Sequence, residues 1–120
     1  MKPASEENLK ILETSLADLV KVYRLLLNIV RKEKEILIAA NLDELAANNR
    51  TKEVSLMKAK EIEETRKRAA QQLAVSEGLD AESTRLLDFA RHFDGPIGDR
   101  LRKMHTVLDL LMKRVRTQSI

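Results

Sequence analysis

The two histidines are the side chains of this sequence best suited to acid–base or metal chemistry. Asp88 precedes His92 by four residues and Asp109 follows His105 by four, so each pair would share one face of a helix. A di-iron helical bundle needs Glu-x-x-His motifs on two helices, and the sequence contains none. It also has no cysteine and no glycine-rich phosphate loop. We therefore predict no catalytic residue, no cofactor and no metal site.

Phosphoryl transfer through His92 is the enzymatic alternative, because residues 92–97 have some likeness to a phosphotransfer histidine box. The match is incomplete, since no acidic residue directly follows His92, no Lys precedes Gly95, and Pro96 is one position early for the kinase pattern. Such a histidine must be exposed in the middle of a helix, whereas His92 comes just before a predicted break. We expect His92 to interact with the dipole at a helix C-terminus, and phosphotransfer remains the less favoured alternative.

The amino-acid composition favours long helices packed as one domain over residues 1–120. Hydrophobic residues make up 43% of the chain and charged residues 34%, with only 3 Gly and 2 Pro to interrupt helices. With 1 Tyr, 2 Phe and no Trp, the core must be mainly aliphatic. An aliphatic core suits an extended all-α bundle better than a deep ligand pocket.

Charge and hydropathy limit the partners and the location of the protein. The 22 basic and 19 acidic residues nearly balance, leaving a net charge of +3, which argues against nucleic acid as a partner. The sequence has no apolar run of about 18 residues, so we predict that it is not embedded in a membrane. Residues 1–7 lack the apolar core of a signal peptide, which predicts a cytosolic protein.

The first helix is predicted over residues 6–39, with Ser5 as its N-cap. Apolar residues recur along it at steps of three or four and form a heptad seam that Glu33 interrupts. The residues of this seam are Leu9, Leu12, Leu16, Leu19, Tyr23, Leu26, Val30 and Leu37. A second, partial seam on an adjacent face consists of Val22, Leu25, Ile29 and Ile36. Two seams require two neighbours, so we predict that this helix is the spine of a bundle. The charges at 31–35 are expected to form a solvated face with pairs such as Arg31–Glu35.

The second helix is predicted over residues 42–76, antiparallel to the first, with Asn41 as N-cap and Glu44 completing a capping box. Continuing in heptads from Leu42 gives a seam that is mostly polar or small. Its members are Leu42, Leu45, Asn49, Lys52, Leu56, Ala59, Glu63, Arg66, Ala70 and Leu73. We expect Lys52 and Arg66 to extend their charged ends past the edge of the bundle. The alternative is that this helix is held loosely or faces a partner. The residues expected to supply part of its buried face are Val54, Met57 and Ile62.

Two further helical segments are predicted at 81–94 and 96–117. Gly78 fits the C′ position of the second helix, and Asp80 or Ser83 is expected to cap the third segment. Pro96 lacks an N–H donor, so the third long helix must be kinked or split at Gly95-Pro96. The predicted architecture is an antiparallel bundle of three long helices with coiled-coil-like packing.

The last segment carries more apolar residues than one seam uses. Those outside its stripe are Val107, Leu110 and Met112. Full burial stabilises a Leu or Met by about 1.5–3 kcal/mol, so exposure of several such residues is unfavourable. Either the bundle covers both sides of this segment, or the segment is a surface on which a partner helix docks.

The order of the motifs in residues 5–75 resembles the FlgN family of flagellar export chaperones. That family has a Leu-rich first helix that ends in Glu and Leu, a turn of the form Gly-Asp-Leu-x-x-Leu, and a second helix marked by a Lys and later an Arg. The corresponding residues are Leu26-Leu27, Glu33, Leu37, the turn at 40–45, Lys52, Leu56, Glu63 and Arg66. Asn41 stands where the family often has Gly-Asp, and Met104-His105-Thr106-Val107 replaces the Asn residues usual in its last helix.

The resemblance implies a cytosolic, non-enzymatic chaperone whose cargo is the hook–filament junction proteins, hook-associated proteins 1 and 3. It also implies docking at the export gate and its ATPase, as a monomer or a dimer. The residues predicted to contact or gate the cargo are Leu101, Met104, Val107, Leu108, Leu111 and Val115. The alternative of another class is a structural coiled coil or adaptor that self-associates through the seam of the second helix.

Overall fold

Four helices account for most of the chain in the computed structural model, which describes residues 1–119. They are α1 (Pro3–Ala39), α2 (Leu42–Ser76), α3 (Leu86–Phe93) and α4 (Gly95–Gln118). The described residues contain no strand, so the predicted all-α class is confirmed. The molecule is a rod of about 56 × 21 × 21 Å. The third long helix of the prediction is two helices, α3 and α4.

The hairpin of α1 and α2 is antiparallel, as predicted. Ser5 near the start of α1 contacts Ser76 at the end of α2, and the Asn48 side chain donates to the carbonyl of Ile29 at 3.1 Å. In the turn, the Asn41 side chain accepts the Glu44 N–H at 3.1 Å, which confirms the predicted N-cap. The Asn41 N–H bonds to the carbonyl of Ile36 at 3.3 Å, so it takes a backbone partner rather than the Glu44 carboxylate of a full capping box.

The α1 helix is the spine of the bundle, as predicted, because α2 and α4 both pack along it and make little contact with each other. The first seam is buried except at half-buried Tyr23 and exposed Leu37. Leu37 lies beyond the end of α4, since Gln118 of α4 contacts Lys34 of α1. In the second seam only Leu25 is exposed.

Ser5 is not the N-cap of α1, contrary to the prediction. The helix begins at Pro3, whose missing N–H and fixed φ suit the first helical turn, and Lys2 occupies the cap position. Ser5 is fully buried inside the helix, where its hydroxyl contacts Ser76 at 2.8 Å and donates to the carboxylate of Glu77. The residue therefore joins the start of α1 to the end of α2.

The buried face of α2 differs at every second position from the predicted seam. Residues that are buried or half-buried follow one another at steps of three and four along the side that faces α1. They are Leu45, Asn48, Lys52, Ser55, Ala59, Ile62, Arg66, Ala69 and Leu73. Ile62 packs in the core as predicted, but Val54 and Met57 are exposed. Small side chains such as Ser55 and Ala69 let α2 lie close to α1, which hydropathy alone does not indicate.

The charge run at 31–35 is not a uniformly solvated face, because Glu33 is buried. Lys52 of α2 reaches across and contacts its carboxylate at 3.3 Å. Lys34 donates to the side chain of Gln118 at 3.0 Å. Lys52 thus pairs with Glu33 instead of extending past the bundle edge, and Arg66 pairs with Glu63 one turn away on α2.

The connection between α2 and α3 is longer than predicted, and α3 begins at Leu86 instead of 81. Gly78 occupies C′ with φ +71°, as expected, and the N–H of Leu79 bonds back to the carbonyl of Ala74 at 2.8 Å in a Schellman motif. Asp80 closes a turn instead of capping a helix, because its carboxylate accepts the Glu82 N–H and the Ser83 hydroxyl. These hydrogen bonds hold the pKa of Asp80 below its ordinary value.

The split at Gly95-Pro96 turns the chain so that α4 runs parallel to α1. Asp94 and Gly95 both have positive φ, at 52° and 51°. Gly98 lies against the carbonyl of Ala90, where an added Cβ would overlap the backbone of α3. The absence of a side chain at Gly98 therefore lets α3 and α4 approach closely. Phe89 and Leu101 then meet in the largest core cluster.

Candidate functional site

All six residues predicted to contact or gate a partner lie on the face of α4 that turns toward the bundle. Leu101 is fully buried and Leu111 nearly so. The other four are half-buried; they are Met104, Val107, Leu108 and Val115. The structure thus brings the six together, but against α1 and the core. A partner can cover this face completely only if α4 separates from α1.

The face has two parts that differ in how firmly they are held. In the first part, Leu101, Met104 and Leu108 belong to the largest core cluster, which includes Phe89 and Leu73. In the second part, Val107, Leu111 and Val115 pack on a smaller cluster of α1. The α1 residues of that cluster are Leu27 and Val30, with Val20 and Tyr23 at its edge. We call residues 107–118 the distal half of α4.

Two polar contacts tie α4 to α1, one near each end of the helix. Arg100 donates to the Glu13 carboxylate at 2.9 Å. At the other end Lys34 donates to Gln118 at 3.0 Å. Both contacts involve side chains that solvent reaches, so each stabilises the docked helix by only about 0–1 kcal/mol. The distal half is therefore held mainly by apolar contacts, in which Leu108 packs against the main core, Val115 packs on Val22 and Leu26, and the remaining contacts are those of the small cluster.

Near the distal half of α4, exposed apolar side chains lie on α4 itself and at the end of the α1–α2 hairpin. Of the three apolar residues outside the stripe of the last segment, Val107 packs on α1, whereas Leu110 and Met112 are exposed. At the hairpin end, Ile38 is 88% exposed and Leu42 is 77% exposed. The hairpin end lies next to the end of α4, because Gln118 of α4 contacts Lys34 of α1.

A cleft runs along α2 on the side where α2 and α4 do not meet. One section of about 610 Å³ has Leu12 as its floor and is walled by α2, by the turn at 81–85 and by Phe89 of α3. A second section of about 400 Å³ lies between Tyr23 and α2. Glu63 and Lys67 line both sections, so the two sections are neighbours along α2. Burial, and next the nearby Glu63, raise the pKa of the Tyr23 hydroxyl. The seam pattern marked Tyr23 only as a core residue and gave no sign of the cleft.

His92 takes part in a structural network instead of standing free in mid-helix. It lies in the last turn of α3, and its Nε2 contacts the carboxylate of Glu77 at 3.0 Å. Glu77 also accepts from Ser5 of α1, so three helical segments meet at this carboxylate. Asp88 does not pair with His92, because its carboxylate accepts the Arg85 N–H at 2.8 Å. This placement favours a structural role for His92 at a helix C-terminus over phosphoryl transfer.

The Glu77 network predicts a measurable dependence of stability on pH. Hydrogen bonds from Ser5 and then from His92 lower the pKa of Glu77 from its ordinary value of 4.5. The folded state thus favours the ionised carboxylate, so this stabilisation is complete above the unfolded pKa and is lost as pH falls through the lower folded pKa. We expect Glu77→Gln to reduce the free energy of unfolding by about 1 kcal/mol at neutral pH, as measured by urea denaturation.

The difference between Glu77→Gln and the unaltered chain should shrink as the pH falls below the ordinary Glu pKa. Glu82→Gln is the matched control, because Glu82 is exposed in the neighbouring turn. A Glu77→Gln effect that is the same at every pH would contradict a role for the ionised carboxylate.

Other chemistry-bearing residues do not assemble into a site. Asp109 contacts Lys113 at 3.0 Å, and this contact lowers its pKa more than His105 does. Within residues 1–119, no three His, Asp or Glu side chains are grouped closely enough to hold a metal ion. No helix in that range has the length and apolar character needed to cross a membrane.

The sequence was compared with models of known protein families. The model described as FlgN protein matches residues 1–119. The chain belongs to the FlgN family. FlgN proteins are chaperones of flagellar assembly and are not known as enzymes. Searches of curated proteins and of solved structures returned no match.

The residues that carried the resemblance to FlgN have structural partners in this chain. Glu33 pairs with Lys52 across the hairpin, and Glu63 pairs with Arg66 along α2. Asn41 caps α2 at the position where the family often has Gly-Asp. The Glu33–Lys52 pair and the Asn41 cap therefore stabilise the α1–α2 hairpin, whereas the Glu63–Arg66 pair lies within α2.

Proposed function

We propose that this FlgN-family protein is a cytosolic chaperone that binds hook-associated proteins 1 and 3 before flagellar type III export and prevents their premature assembly. Docking of the loaded chaperone at the export gate and its ATPase is part of the same proposal. The observation that carries it is the family match over residues 1–119. The arrangement of α4 supports a specific way of binding cargo.

The first step of the proposed mechanism is separation of the distal half of α4 from α1. Leu101 and Phe89 anchor the start of α4 in the main core, so the helix stays attached there. In the distal half, Val107, Leu111 and Val115 leave the small cluster at Leu27 and Val30. Leu108 also leaves the main core, and Val115 leaves its contacts with Val22 and Leu26. Full burial of a Leu or Val is worth about 1.5–3 kcal/mol, so separation costs several kcal/mol without a replacement partner.

The second step is replacement of the lost contacts by the cargo. A disordered amphipathic terminal segment of a hook-associated protein forms a helix between α1 and the distal half of α4. Its apolar face covers Val107 and Leu111 on one side and Leu27 on the other. The cargo loses conformational entropy and the chaperone loses its internal contacts, so the net affinity is moderate. Moderate affinity permits release at the export gate.

Covering the terminal segment also accounts for the prevention of assembly. The apolar face of a terminal segment is the surface through which helical subunits pair with one another. While α1 and α4 cover that face, a second cargo molecule cannot pair with it. The exposed apolar residues Ile38 and Leu42 at the hairpin end extend the available surface for a longer segment.

Calorimetric titration with the C-terminal segments of hook-associated proteins 1 and 3 tests the proposal. We expect one-to-one binding with a negative heat-capacity change, because apolar surface is buried. Val107→Glu should weaken binding by about tenfold or more, since one buried apolar contact is worth about 1.5 kcal/mol.

Leu110→Glu is the matched control, because Leu110 lies on the outer side of the same helix and is 49% exposed. Circular dichroism confirms that both variants remain helical. Absence of binding to both segments would refute the proposed function. Equal effects of the two substitutions would move the cargo site away from the inner face of α4.

A further inference from the structure

The outward side of α2 carries a second heptad stripe that the fold does not use. Its residues follow one another at steps of four and three, on the side turned away from α1. We call these residues the outer stripe: Asp43, Ala47, Arg50, Val54, Met57, Glu61, Glu64 and Arg68. All eight are exposed. Any helix face shows this spacing, so what distinguishes the outer stripe is which residues occupy it.

The centre of the outer stripe is apolar and its flanks carry charges without partners. Val54 is 66% exposed and Met57 is 65% exposed. Among the residues that the structure describes, Arg50, Glu61 and Arg68 form no ion pair. Other charged residues of the chain, such as Arg66 and Arg100, do pair. The outer stripe thus offers an apolar centre between unpaired charges of both signs.

The stripe is complementary to an antiparallel copy of itself. When the two-fold axis passes between Val54 and Met57, residues equally distant from the axis face each other. Val54 then meets Met57 of the second copy in an antiparallel coiled-coil layer. Arg50 meets Glu61 of the second copy, so opposite charges pair across the interface.

The same register also matches the charges farther from the axis. At the ends of the stripe, Asp43 meets Arg68 of the second copy. Beside the stripe, Glu53 lies near Lys60 of the second copy. Two-fold symmetry makes each of these pairs twice. A parallel arrangement would instead place Arg50 against Arg50 and Glu61 against Glu61, which opposes association.

We infer that a second copy of this chain docks antiparallel on the outer stripe and forms a weak homodimer. The alternative of self-association concerned the predicted seam of α2, and every second residue of that seam lies on the face that packs on α1. The interface is one helix wide with two central apolar residues per copy, so it is smaller than a stable dimer interface of about 1,200–2,000 Å². The dimer should therefore form only at high protein concentration. Salt should weaken it, because the pairing charges are exposed to solvent. The dimer interface does not include the inner face of α4. The inference is therefore independent of the proposed cargo site.

Sedimentation equilibrium of the full chain tests the inference. Over a concentration series up to about 1 mM, the apparent mass should rise from monomer toward dimer, and the rise should diminish in high salt. Arg50→Glu should weaken dimerisation by about tenfold, because two surface ion pairs become repulsive. The double variant Arg50→Glu/Glu61→Arg should restore it, because the swapped charges again face each other. This rescue separates an interface effect from a folding effect.

Cysteine crosslinking tests the register, because the chain has no cysteine of its own. An equimolar mixture of the Val54→Cys and Met57→Cys chains should form the mixed disulfide on oxidation faster than a mixture of the Val54→Cys and Val75→Cys chains. Val75 is the control because it is similarly exposed but lies far from the axis. Monomeric sedimentation at every concentration would overturn the inference. So would a dimer that Arg50→Glu leaves unchanged, or one in which both mixtures react equally.

Discussion

Replacement of Phe89 by Ala is expected to destabilise the protein by about 3–5 kcal/mol, the cost typical of removing a fully buried aromatic side chain. Phe89 is 1% exposed and is the largest fully buried side chain among residues 1–119. It packs in the cluster that contains Leu12 of α1, Leu73 of α2 and Leu101 of α4. One ring therefore joins all three long helices, and the cavity left by Ala cannot be filled by a local movement.

Thermal unfolding followed by circular dichroism measures this effect. For a chain of this length, a loss of 3–5 kcal/mol lowers Tm by about 12–20 °C. Phe93→Ala is the matched control, because Phe93 stacks on Phe89 at a centroid distance of 6.3 Å but is only half-buried. Its Tm should fall less. Equal losses for the two variants would show that Phe89 is not the centre of the core.

The hairpin of α1 and α2 could be predicted from the sequence because its signals are local. The Leu-rich seam marks the buried face of α1, and Asn41 and Gly78 mark the two ends of α2. A side-chain cap or a residue at positive φ acts within a few residues, so one sequence contains the information. The split at Gly95-Pro96 is predictable for the same reason.

The buried face of α2 could not be assigned correctly because neither face of this helix is clearly the more apolar one. Hydropathy favoured Val54 and Met57 for the core, yet both are exposed, whereas Asn48 and Ser55 are buried. Asn48 is accommodated because its amide bonds to the carbonyl of Ile29. Such a bond depends on how close α1 comes, which is a property of tertiary packing and not of the local sequence.

The apolar face of α4 could be predicted from the sequence, but what covers that face could not. The spacing of Leu101, Leu108 and Leu111 identifies one apolar face of the last helix. Periodicity shows that such a face must be covered, and it does not distinguish a neighbour in the same chain from another protein. The structure places α1 against the face, so cargo binding there requires α4 to move.

A covalent link between α1 and the distal half of α4 is expected to abolish most cargo binding. Lys34 and Gln118 make a side-chain contact of 3.0 Å between the two helices. The double variant Lys34→Cys/Gln118→Cys, joined by a short bismaleimide, holds the distal half on α1. If the cargo binds only between these helices, its affinity should fall by about 100-fold or more. The same variant treated with a monofunctional maleimide carries the same substitutions and remains free to open.

Calorimetric titration of the linked and unlinked proteins with the cargo segment therefore tests the central claim most directly. The account predicts moderate one-to-one binding by the unlinked protein and almost none by the linked protein. Equal affinity of the two forms would show that cargo binds without release of α4, on a surface other than its inner face. Absence of binding by both forms would contradict the chaperone function itself.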